Sequence, residues 1–395
     1  MGITGGVSEA SVISLLMSAK KDPAAGADQL DEPRPDGADP QEADADEELA
    51  DEPGEEKSEP RRRRGRRILL AVVAFLLIVV LGAAALLWER QSTYNSNISR
   101  LPGVMPTGDR PGPNVVGTEN WLLVGSDTRV ETKTTGEGGL VWRRGQQRAD
   151  TIMLVHLPAE RDKVYVISIP RDSWVTVPGY GQQKINAAFS YGGPPLLIET
   201  VEDLTGVRID HFGAIDFNGF KDMTDALGGV DVHITKTVHD PMNHITWPAG
   251  KNHLNGEKAL LFVRQRYNLP NGDFDRIKRQ QAFLRAVTQK AATAGTVTNP
   301  LKLDRFLSAV TKSISVDEGV SAGDLRSLAL SLRNVRGSDI TFLTVPNKGP
   351  AQRGSQSVVL LDDAKARLLY DAVRAAKLAE YVDQHGGANK VTKVS

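Results

Sequence analysis

The feature that most constrains this chain is an uninterrupted apolar stretch, Ile68 to Trp88, that contains no charged residue. Its 21 residues match the roughly 20 that a helix needs to cross the hydrocarbon core of a bilayer. A buried core helix is one alternative, but such helices rarely stay apolar around their whole circumference for about six turns. A cleaved signal peptide is another, but its apolar region is shorter and lies nearer the N-terminus. The stretch therefore predicts a transmembrane signal-anchor helix at residues 68–88.

The charges on the two sides of this stretch predict its orientation. Six arginines fall within Arg61–Arg67, whereas Arg90 and Arg100 are the arginines near the other end. The arginine-rich flank of a spanning helix stays in the cytoplasm. We therefore expect a single-pass protein of the cell membrane, with residues 1–67 in the cytoplasm and residues 89–395 outside.

The composition changes sharply along the chain. Residues 22–59 contain 16 acidic and two basic residues, and few large apolar ones. Such a segment cannot bury enough apolar surface to offset its ordering entropy, so residues 1–67 are predicted to be a disordered acidic tail ending in an arginine cluster. Beyond the span we expect a stalk at 89–117, a globular domain at 118–378 and a C-terminal tail at 379–395. The absence of cysteine excludes disulfides, thiolate metal sites and cysteine nucleophiles.

Hydrophobic patterns in the outer part alternate between strand-like runs and segments with helical spacing. Strands interleaved with helices indicate an α/β layer fold. The predicted strands are Trp121–Gly125, Thr151–Pro158, Lys163–Ile169, Ile209–Ile215, Val230–Ile234, Ile340–Val345 and Val358–Leu361. The predicted helices are Pro194–Leu204, Asn218–Leu227, Asn255–Phe262, Asp275–Ala291, Leu303–Ile314, Ser321–Leu332 and Asp362–Ala376.

Charged residues stand at the ends of three successive predicted strands. Asp127 follows a glycine turn after the first strand, and Arg148 and Asp150 open the second. Arg171 follows Pro170, which cannot donate to a strand ladder and so ends the third. Taken singly, Asp127 would be a turn or cap residue, and Arg148 with Asp150 a surface ion pair worth ~0–1 kcal/mol. Together they predict a ligand site, because ligands bind at the carboxyl ends of strands in α/β sheets.

A second polar group lies about a hundred residues further on. If residues 262–267 are extended, Arg264 and Arg266 share one side. On the helix that follows, Arg276 and Gln280 are one turn apart on one face. An ordinary solvated helix end would explain Arg276 equally well.

Two carboxylates and several arginines suit a divalent cation that bridges a phosphate ester. Mg²⁺ (or Mn²⁺) is held by one or two carboxylates together with phosphate oxygens, and arginine forks bind phosphate bidentately. The sequence contains no Walker loop, no histidine pair with zinc-site spacing and no G-x-S-x-G elbow. Phosphoryl-transfer chemistry is therefore favoured over nucleotide binding, zinc chemistry and serine hydrolysis.

Seven short motifs, in order along residues 118–375, resemble the LytR-CpsA-Psr family of cell-wall enzymes. They are NWLLVGSDTR at Asn120–Arg129, RADT at Arg148–Thr151, SIPRD at Ser168–Asp172, KINAAFSY at Lys184–Tyr191, LGGVDV at Leu227–Val232, LNGEKALLFVRQR at Leu254–Arg266 and DFDRIKRQQ at Asp273–Gln281. Each motif alone is weak, but seven in order make the match specific.

The resemblance implies a fold and a reaction. The fold would be a three-layer αβα arrangement around a central mixed sheet, with an apolar tunnel for a lipid. The reaction would be transfer of a glycopolymer from a polyprenyl-pyrophosphate carrier to peptidoglycan, forming a phosphodiester link. Residues 118–378 would then be the catalytic domain, and the partners would be the lipid-linked glycopolymer, peptidoglycan and membrane lipid.

The resemblance also assigns roles to residues. Asp127 and Asp150 would hold Mg²⁺, and Asp127 or a neighbouring carboxylate would help to deprotonate the attacking hydroxyl. The residues expected to act directly in catalysis are Asp127, Arg264, Arg266 and Arg276. Those expected to bind the pyrophosphate are Arg148, Arg171, Arg264, Arg266, Arg276 and Gln280, with Lys184 and Arg129 as lesser candidates. Phe189, Phe212, Phe217 and Phe220 are candidates for lining the tunnel, although buried aromatic residues are more often plain core.

Three other functions fit parts of the sequence. A polyprenyl-pyrophosphate pyrophosphatase or phosphatase would use the same residues with water as acceptor. A lipid-carrier binding protein would keep the arginines without turnover. A membrane-bound transcriptional attenuator would need a basic cytoplasmic surface, whereas here that side is mainly acidic, so no nucleic-acid partner is expected.

Overall fold

The structure is a computed structural model that describes residues 96–128, 135, 142, 144–145, 147–293, 299–386 and 393–394. The predicted acidic tail at 1–67 and the predicted span at 68–88 lie outside these residues. Within the described ranges, no helix is both long enough and apolar enough to cross a membrane.

Fifteen strands are present in the described residues. In chain order they are β1 Ser99–Leu101, β2 Glu119–Thr128, β3 Gln147–Leu157, β4 Val164–Ile169, β5 Trp174–Val177, β6 Gly181–Lys184, β7 His211–Ile215, β8 Val230–Ile234, β9 Val238–Asp240, β10 Ile245–Trp247, β11 Gly250–Leu254, β12 Ile314–Asp317, β13 Ile340–Thr344, β14 Asn347–Arg353 and β15 Gln356–Leu361. The strand predictions located β2, β3, β4, β7, β8, β13 and β15.

Eight helices lie between or after these strands within the described ranges. They are α1 Ile185–Thr205, α2 Phe217–Ala226, α3 Gly256–Arg264, α4 Asp273–Thr293, α5 Pro300–Ser313, α6 Ala322–Ser331, α7 Asp363–Arg374 and α8 Leu378–His385. Helix α1 is longer than predicted because it continues through Pro194 and Pro195 across a kink at Gly193, where φ is 70°. It ends at Gly206, whose φ of 63° is a left-handed conformation that glycine adopts without strain.

Seven strands form one mixed sheet in the order β1-β12-β7-β2-β3-β4-β13. The pairs β1/β12, β2/β7 and β4/β13 are parallel, and the pairs β12/β7, β2/β3 and β3/β4 are antiparallel. The prediction of an α/β fold with a central mixed sheet is therefore confirmed.

The side chains of the sheet alternate between two apolar clusters, because successive residues of a strand face opposite sides. Leu122, Leu154 and Ile167 pack on one side with residues of α1, α7 and α8. Trp121 and Met153 pack on the other side with apolar residues of α4 and α6. A third cluster joins β8 and β11 to α3 and α4. Helices thus cover both faces of the sheet and hold its edges in place.

The segment that we expected to be a stalk is packed in part on this domain. β1 extends the sheet by pairing with β12, and Val104 is buried in the core. Arg110 Nη2 lies 2.6 Å from the Glu202 carboxylate, and Asn114 Nδ2 donates to the Arg208 carbonyl at 2.9 Å. Residues 99–114 therefore do not form a separate stalk, because their apolar and charged groups find partners on the domain.

The segment expected to be a C-terminal tail also has contacts. Helix α8 buries Leu378 in the core beside α7. Further on, the Thr235 backbone N–H donates to the carbonyl of Val394 at 2.8 Å. These residues are part of the packed domain and not a free tail.

Candidate functional site

Three neighbouring strands bring the predicted strand-end residues to one edge of the sheet. Asp127 pairs with Arg148 across β2 and β3. Ile152 pairs with Ile169, the last residue of β4. The end of β2, the start of β3 and the end of β4 therefore coincide, as the sequence predicted.

The chain reaches this edge through a β-bulge and not through the predicted glycine turn. β2 continues to Thr128, and its register with β3 shifts between Gly125 and Ser126, so that Asp150 is the extra residue on β3. A Cβ atom at Gly125 would lie 3.1 Å from the Cβ of Thr151, which explains why a glycine stands there. Because bulges change the direction of nearby side chains, this one helps to present the residues of the edge.

Arg171 connects the carboxylates at this edge. Its Nη1 donates to Oδ1 of Asp150, and its Nε lies 3.6 Å from the Asp172 carboxylate. Asp172 in turn lies 3.1 Å from Lys184 Nζ. Burial by itself would lower the pKa of Arg171, but the carboxylates of Asp150 and Asp172 raise it above its usual value. Arg171 is therefore a permanent positive charge held in place by two acids.

The second polar group is built differently from the prediction. Helix α3 continues to Arg264, so residues 262–267 are not extended and Arg264 and Arg266 do not share a strand face. The Arg264 guanidinium lies over the Phe217 ring, 4.1 Å from its centre. Arg266 follows in the loop, where its Nε is 3.5 Å from the Asp273 carboxylate. The helix persists because the side chain of Asn255 caps its first turn and Phe262 and Val263 are buried.

Arg276 joins the two polar groups. It is 4% exposed, and its Nη2 lies 2.9 Å from Asp273 Oδ1. Burial lowers the pKa of Arg276 to about 10, and the nearby positive charges of Arg171 and Arg266 lower it as well. The carboxylate of Asp273 acts in the opposite direction and raises this pKa. Charged groups at the sheet edge and on helix α4 therefore influence one another electrostatically and belong to one site. We call this site the arginine cluster. It consists of Arg171, Arg266, Arg276, Asp150 and Asp273.

The arginine cluster contains hydrogen-bond donors that have no acceptor among the described residues. The Nε atoms of Arg171 and Arg276 are both buried, and neither has a hydrogen-bond partner among the described residues. Leaving a buried charged donor without a partner is costly, so such donors favour an anionic ligand. A phosphate or pyrophosphate group accepts from several guanidinium donors at once.

The other predicted polar residues do not belong to this cluster. The side chain of Arg148 is exposed and forms no hydrogen bond or ion pair with the side chains that the structure describes. The Gln280 side-chain amide approaches the Val263 carbonyl at 3.4 Å, which ties α4 to α3. Arg129 and the side chain of Asp127 lie outside what the structure describes.

The four predicted tunnel residues do not form one surface. Phe189 and Phe212 are buried in the main core beside the sheet. Phe217 lies under the Arg264 guanidinium, and Phe220 packs on Phe283 with ring centres 4.7 Å apart. The expected lipid tunnel stays a prediction.

Sequence reasoning missed two acids of the site and one helix end. Asp172 and Asp273 each neutralise predicted arginines, and their positions beside Arg171 and one turn before Arg276 were the available signals. Helix α1 begins directly after Lys184, where the Asn186 N–H donates to the carbonyl of Arg171. The start of a helix carries a partial positive charge, which adds to the attraction for anions at this edge.

No group of three or more histidine and acidic residues suited to a metal ion occurs in the described part of the chain. A metal here would depend on one or two carboxylates and on ligand oxygens. This donor set fits Mg²⁺, which is commonly bound by few protein oxygens together with phosphate oxygens and water.

Comparison with known proteins identifies the family. The LytR_cpsA_psr family profile matches residues 90–372, well over half of the chain. This chain belongs to the LytR-CpsA-Psr family. The match starts before β2, in agreement with the packing of residues 99–114 on the domain.

Two of the similar proteins have names that refer to the cell wall. The chain is 38% identical over 281 residues to a probable cell wall biosynthesis protein, LcpB of Corynebacterium glutamicum, an alignment that covers 70% of this chain and 66% of LcpB. It is 33% identical over 217 residues to TagU of Enterococcus faecalis, named a polyisoprenyl-teichoic acid–peptidoglycan teichoic acid transferase, covering 55% of this chain and 66% of TagU. The chain therefore spans slightly less than two thirds of either relative.

The crystal structure of B. subtilis TagV is similar to this domain. Its TM-score is 0.56 at 25% sequence identity, and the match covers 66% of this chain and 97% of TagV. The central mixed sheet is thus a shared feature of this chain and a solved member of the family.

Proposed function

We propose that this protein transfers a glycopolymer from a polyprenyl-pyrophosphate carrier to peptidoglycan by metal-assisted phosphotransfer outside the membrane. The observation that carries the proposal is the arginine cluster, in which the Nε atoms of Arg171 and Arg276 are buried without a hydrogen-bond partner among the described residues, beside Asp150 of β3 and Asp273 of α4. The names of LcpB and TagU support this proposal, since one refers to cell wall biosynthesis and the other to transfer of teichoic acid to peptidoglycan.

The proposed reaction exchanges one phosphorus–oxygen bond for another. A hydroxyl oxygen of a muramic acid residue attacks the phosphorus that bears the glycan. As this P–O bond forms, the bond from the same phosphorus to the bridging oxygen breaks, and polyprenyl phosphate leaves with its electron pair. The hydroxyl proton passes to a carboxylate, for which Asp127 is the candidate. Water in place of the hydroxyl would make the same site a pyrophosphatase.

The arginines would contribute by binding the charge that develops on the leaving group. Arg171 and Arg276 are already fixed by Asp150 and Asp273, so little reorganisation is needed when the charge moves. Arg266 and Arg148, which are more exposed, would close on the pyrophosphate from the solvent side. Positioned charges of this kind account for most of the catalysis in phosphoryl transfer.

Mg²⁺ or Mn²⁺ would neutralise charge on the pyrophosphate when bound. Asp127 and Asp150 are the residues that would hold it. The register supports this, since Asp127 pairs with Arg148 and Asp150 is the extra residue of the bulge next to that pair. Asp150 would then share its two oxygens between the metal and Arg171.

The direct test uses the full-length protein in detergent with a synthetic polyprenyl-pyrophosphate glycan and peptidoglycan oligomers. Release of lipid phosphate and attachment of glycan are measured with Mg²⁺ and with a chelator. Wild type is compared with Asp127→Asn and with the control Asp383→Asn, an exposed aspartate on α8. We expect attachment that needs the metal, is lost in Asp127→Asn and is unchanged in the control.

The same assay separates the alternatives. Lipid phosphate released at equal rates with and without acceptor, with no attachment, would identify a hydrolase. Donor binding without turnover in both wild type and Asp127→Asn would identify a carrier-binding protein. Glycan attachment that persists in the presence of the chelator would show that the reaction needs no metal ion.

A further inference from the structure

A pair of tyrosines lies at the tip of the hairpin formed by β5 and β6, whose base adjoins the arginine cluster, and takes no part in the site described so far. Tyr180 is at the tip of the hairpin formed by β5 and β6 and is 40% exposed. Its ring stacks on that of Tyr191 of helix α1, with ring centres 4.7 Å apart and 26° between the planes. Gly179 and Gly181, with φ of 75° and 67°, flank Tyr180 and make the tight tip that presents it.

Several hydrogen bonds hold the pair in place. Nη2 of Arg144 donates to the Tyr180 hydroxyl at 3.1 Å. The Gly145 N–H donates to the carbonyl of Ser190 at 2.9 Å, beside Tyr191. Tyr180, Tyr191 and Arg144, which we call the tyrosine platform, therefore form an ordered surface with an aromatic face, a hydroxyl group and a guanidinium.

The platform is continuous with the arginine cluster through the base of the hairpin. Lys184, the last residue of β6, contacts Asp172, and the Ile185 N–H donates to the carbonyl of Ser173 at 2.8 Å. Lys184 follows Tyr180 by four residue positions, which corresponds to about 13 Å of extended chain. A group bound to a phosphate in the arginine cluster would reach Tyr180 if it were the length of a short oligosaccharide.

Hairpin stability does not account for the exposed rings. Val175 and Val177 of β5 are 4% and 0% exposed, so the hairpin is already anchored in the core below the tip. Flat, half-exposed aromatic faces beside hydrogen-bonding groups match the chemistry of a pyranose ring, which has apolar C–H faces and a rim of hydroxyls. A lipid chain would instead need a concave, mostly apolar pocket that buries most of its surface.

We propose that the tyrosine platform stacks against a sugar ring and thereby positions the glycan relative to the arginine cluster. This proposal rests on the proposed function. The sugar belongs either to the donor glycopolymer or to the peptidoglycan acceptor, and both present the same pyranose chemistry. Tyr180 and Tyr191 are in this view positioning residues, since they contact the glycan and not the reacting phosphorus.

The test measures KM and kcat for donor and acceptor separately with the full-length protein. Tyr180→Leu keeps an apolar contact with Tyr191 but removes the aromatic face, and Tyr180→Phe keeps the face but removes the hydroxyl. Leu330→Ala is the control, since Leu330 on α6 is 41% exposed, nearly as much as Tyr180. Circular dichroism and thermal unfolding verify that each variant is folded.

We expect Tyr180→Leu to raise one KM by about tenfold, as loss of one aromatic stacking contact does, with kcat changed less than twofold. Tyr180→Phe, which keeps the ring but loses the bond from Arg144, should raise the same KM less than Tyr180→Leu does, and Leu330→Ala should stay near wild type. A rise in KM for the donor assigns the platform to the glycopolymer, and a rise for the acceptor assigns it to peptidoglycan. Unchanged KM values, or a fall in kcat alone, would overturn the proposal. Absence of transfer by the wild type would instead refute the proposed function.

Discussion

Arg276 combines a positive charge with almost complete burial, and this makes it the most informative single residue of the site. Its neighbours Arg171 and Arg266 disfavour its charge, and Asp273 compensates for this in part. An anion bound in the cluster would complete the compensation. The positive charges are thus arranged for a ligand that carries more negative charge than the site's own acids supply.

Replacement of Arg276 by lysine should lower kcat/KM about 100-fold, since lysine keeps the charge but cannot bind phosphate bidentately. Arg333→Lys, at an exposed arginine beyond α6, is the matched control and should have no effect. Steady-state kinetics on folded protein provides the measurement. Equal kcat/KM for the two variants would remove Arg276 from the site.

His156 should make the stability of the domain depend on pH. It is 1% exposed, its Nδ1 lies 2.8 Å from Asn120 Oδ1, and burial, with a smaller contribution from the charge of Arg161, lowers its pKa to about 4. The unfolded chain, with a pKa near 6.5, binds a proton first as the pH falls, so stability present above pH 6.5 is lost towards pH 4.

For this histidine we expect a loss of about 3 kcal/mol in the free energy of unfolding between pH 7 and pH 4, measured by urea denaturation. In His156→Gln this part of the pH dependence should disappear, while other titrating groups keep theirs. Parallel pH profiles for the two proteins would contradict the assignment.

At the scale of elements, the hydrophobic patterns located most helices and strands because periodicity is a local property. The hairpin β5–β6 was missed because β5 is only four residues long and β6, with the sequence GQQK, contains no apolar residue. β1 was missed because it is short and lies in a proline-rich segment. β2 was predicted to end at Gly125 because glycine often marks a turn, whereas here it permits a bulge.

The bulge leads to a prediction about Gly125. In Gly125→Ala the new Cβ would press on Thr151 at 3.1 Å and shift the strand edge that carries Asp127 and Arg148. We expect a loss of about 1–3 kcal/mol in the free energy of unfolding and at least tenfold lower kcat.

The control for this prediction is Gly213→Ala on the adjacent strand β7. Its added Cβ would meet only the Cδ2 end of Leu123, at 2.9 Å, and a flexible side chain can move away. We expect Gly213→Ala to have a free energy of unfolding and a kcat close to those of the wild type. A normal kcat in Gly125→Ala would show that the bulge does not position the site.

For the whole molecule, the direction of β1 relates the predicted anchor to the site. Ser99 pairs with Ser315, Ser315 with Ala214, and Ala214 with Val124, so the chain enters the sheet near the edge that carries Asp127. Residues 89–95, between the predicted span and the packed residues Asn97 and Ile98, reach at most about 25 Å when extended. A lipid-linked donor in the bilayer would therefore be within reach of the arginine cluster.

A helical spacer inserted before Ser96, ahead of the buried residues Asn97 and Ile98, tests this relation. A spacer of (EAAAK) repeats that raises the domain by about 60 Å should lower transfer from a donor embedded in liposomes by more than tenfold. Transfer from a detergent-solubilised donor should not change. A flexible Gly/Ser insert of the same length is the control and should retain most of the activity, because it lets the domain return to the surface. Equal rates for both inserts on liposomes would contradict the proposed geometry.

The sequence by itself determined the local features: the alternating elements of an α/β fold, the strand ends that carry Asp127, Arg148, Asp150 and Arg171, and, through seven ordered motifs, the family. Local features follow from backbone propensity and periodicity, which depend on neighbouring residues. The tertiary structure decided which charges meet. The pairing of Arg171 with Asp150, the approach of Arg276 and Asp273 to the sheet edge, and the stacking of Tyr180 on Tyr191 all depend on strand order, register and helix packing. These are set by burial of the whole core, so no short stretch of sequence encodes them.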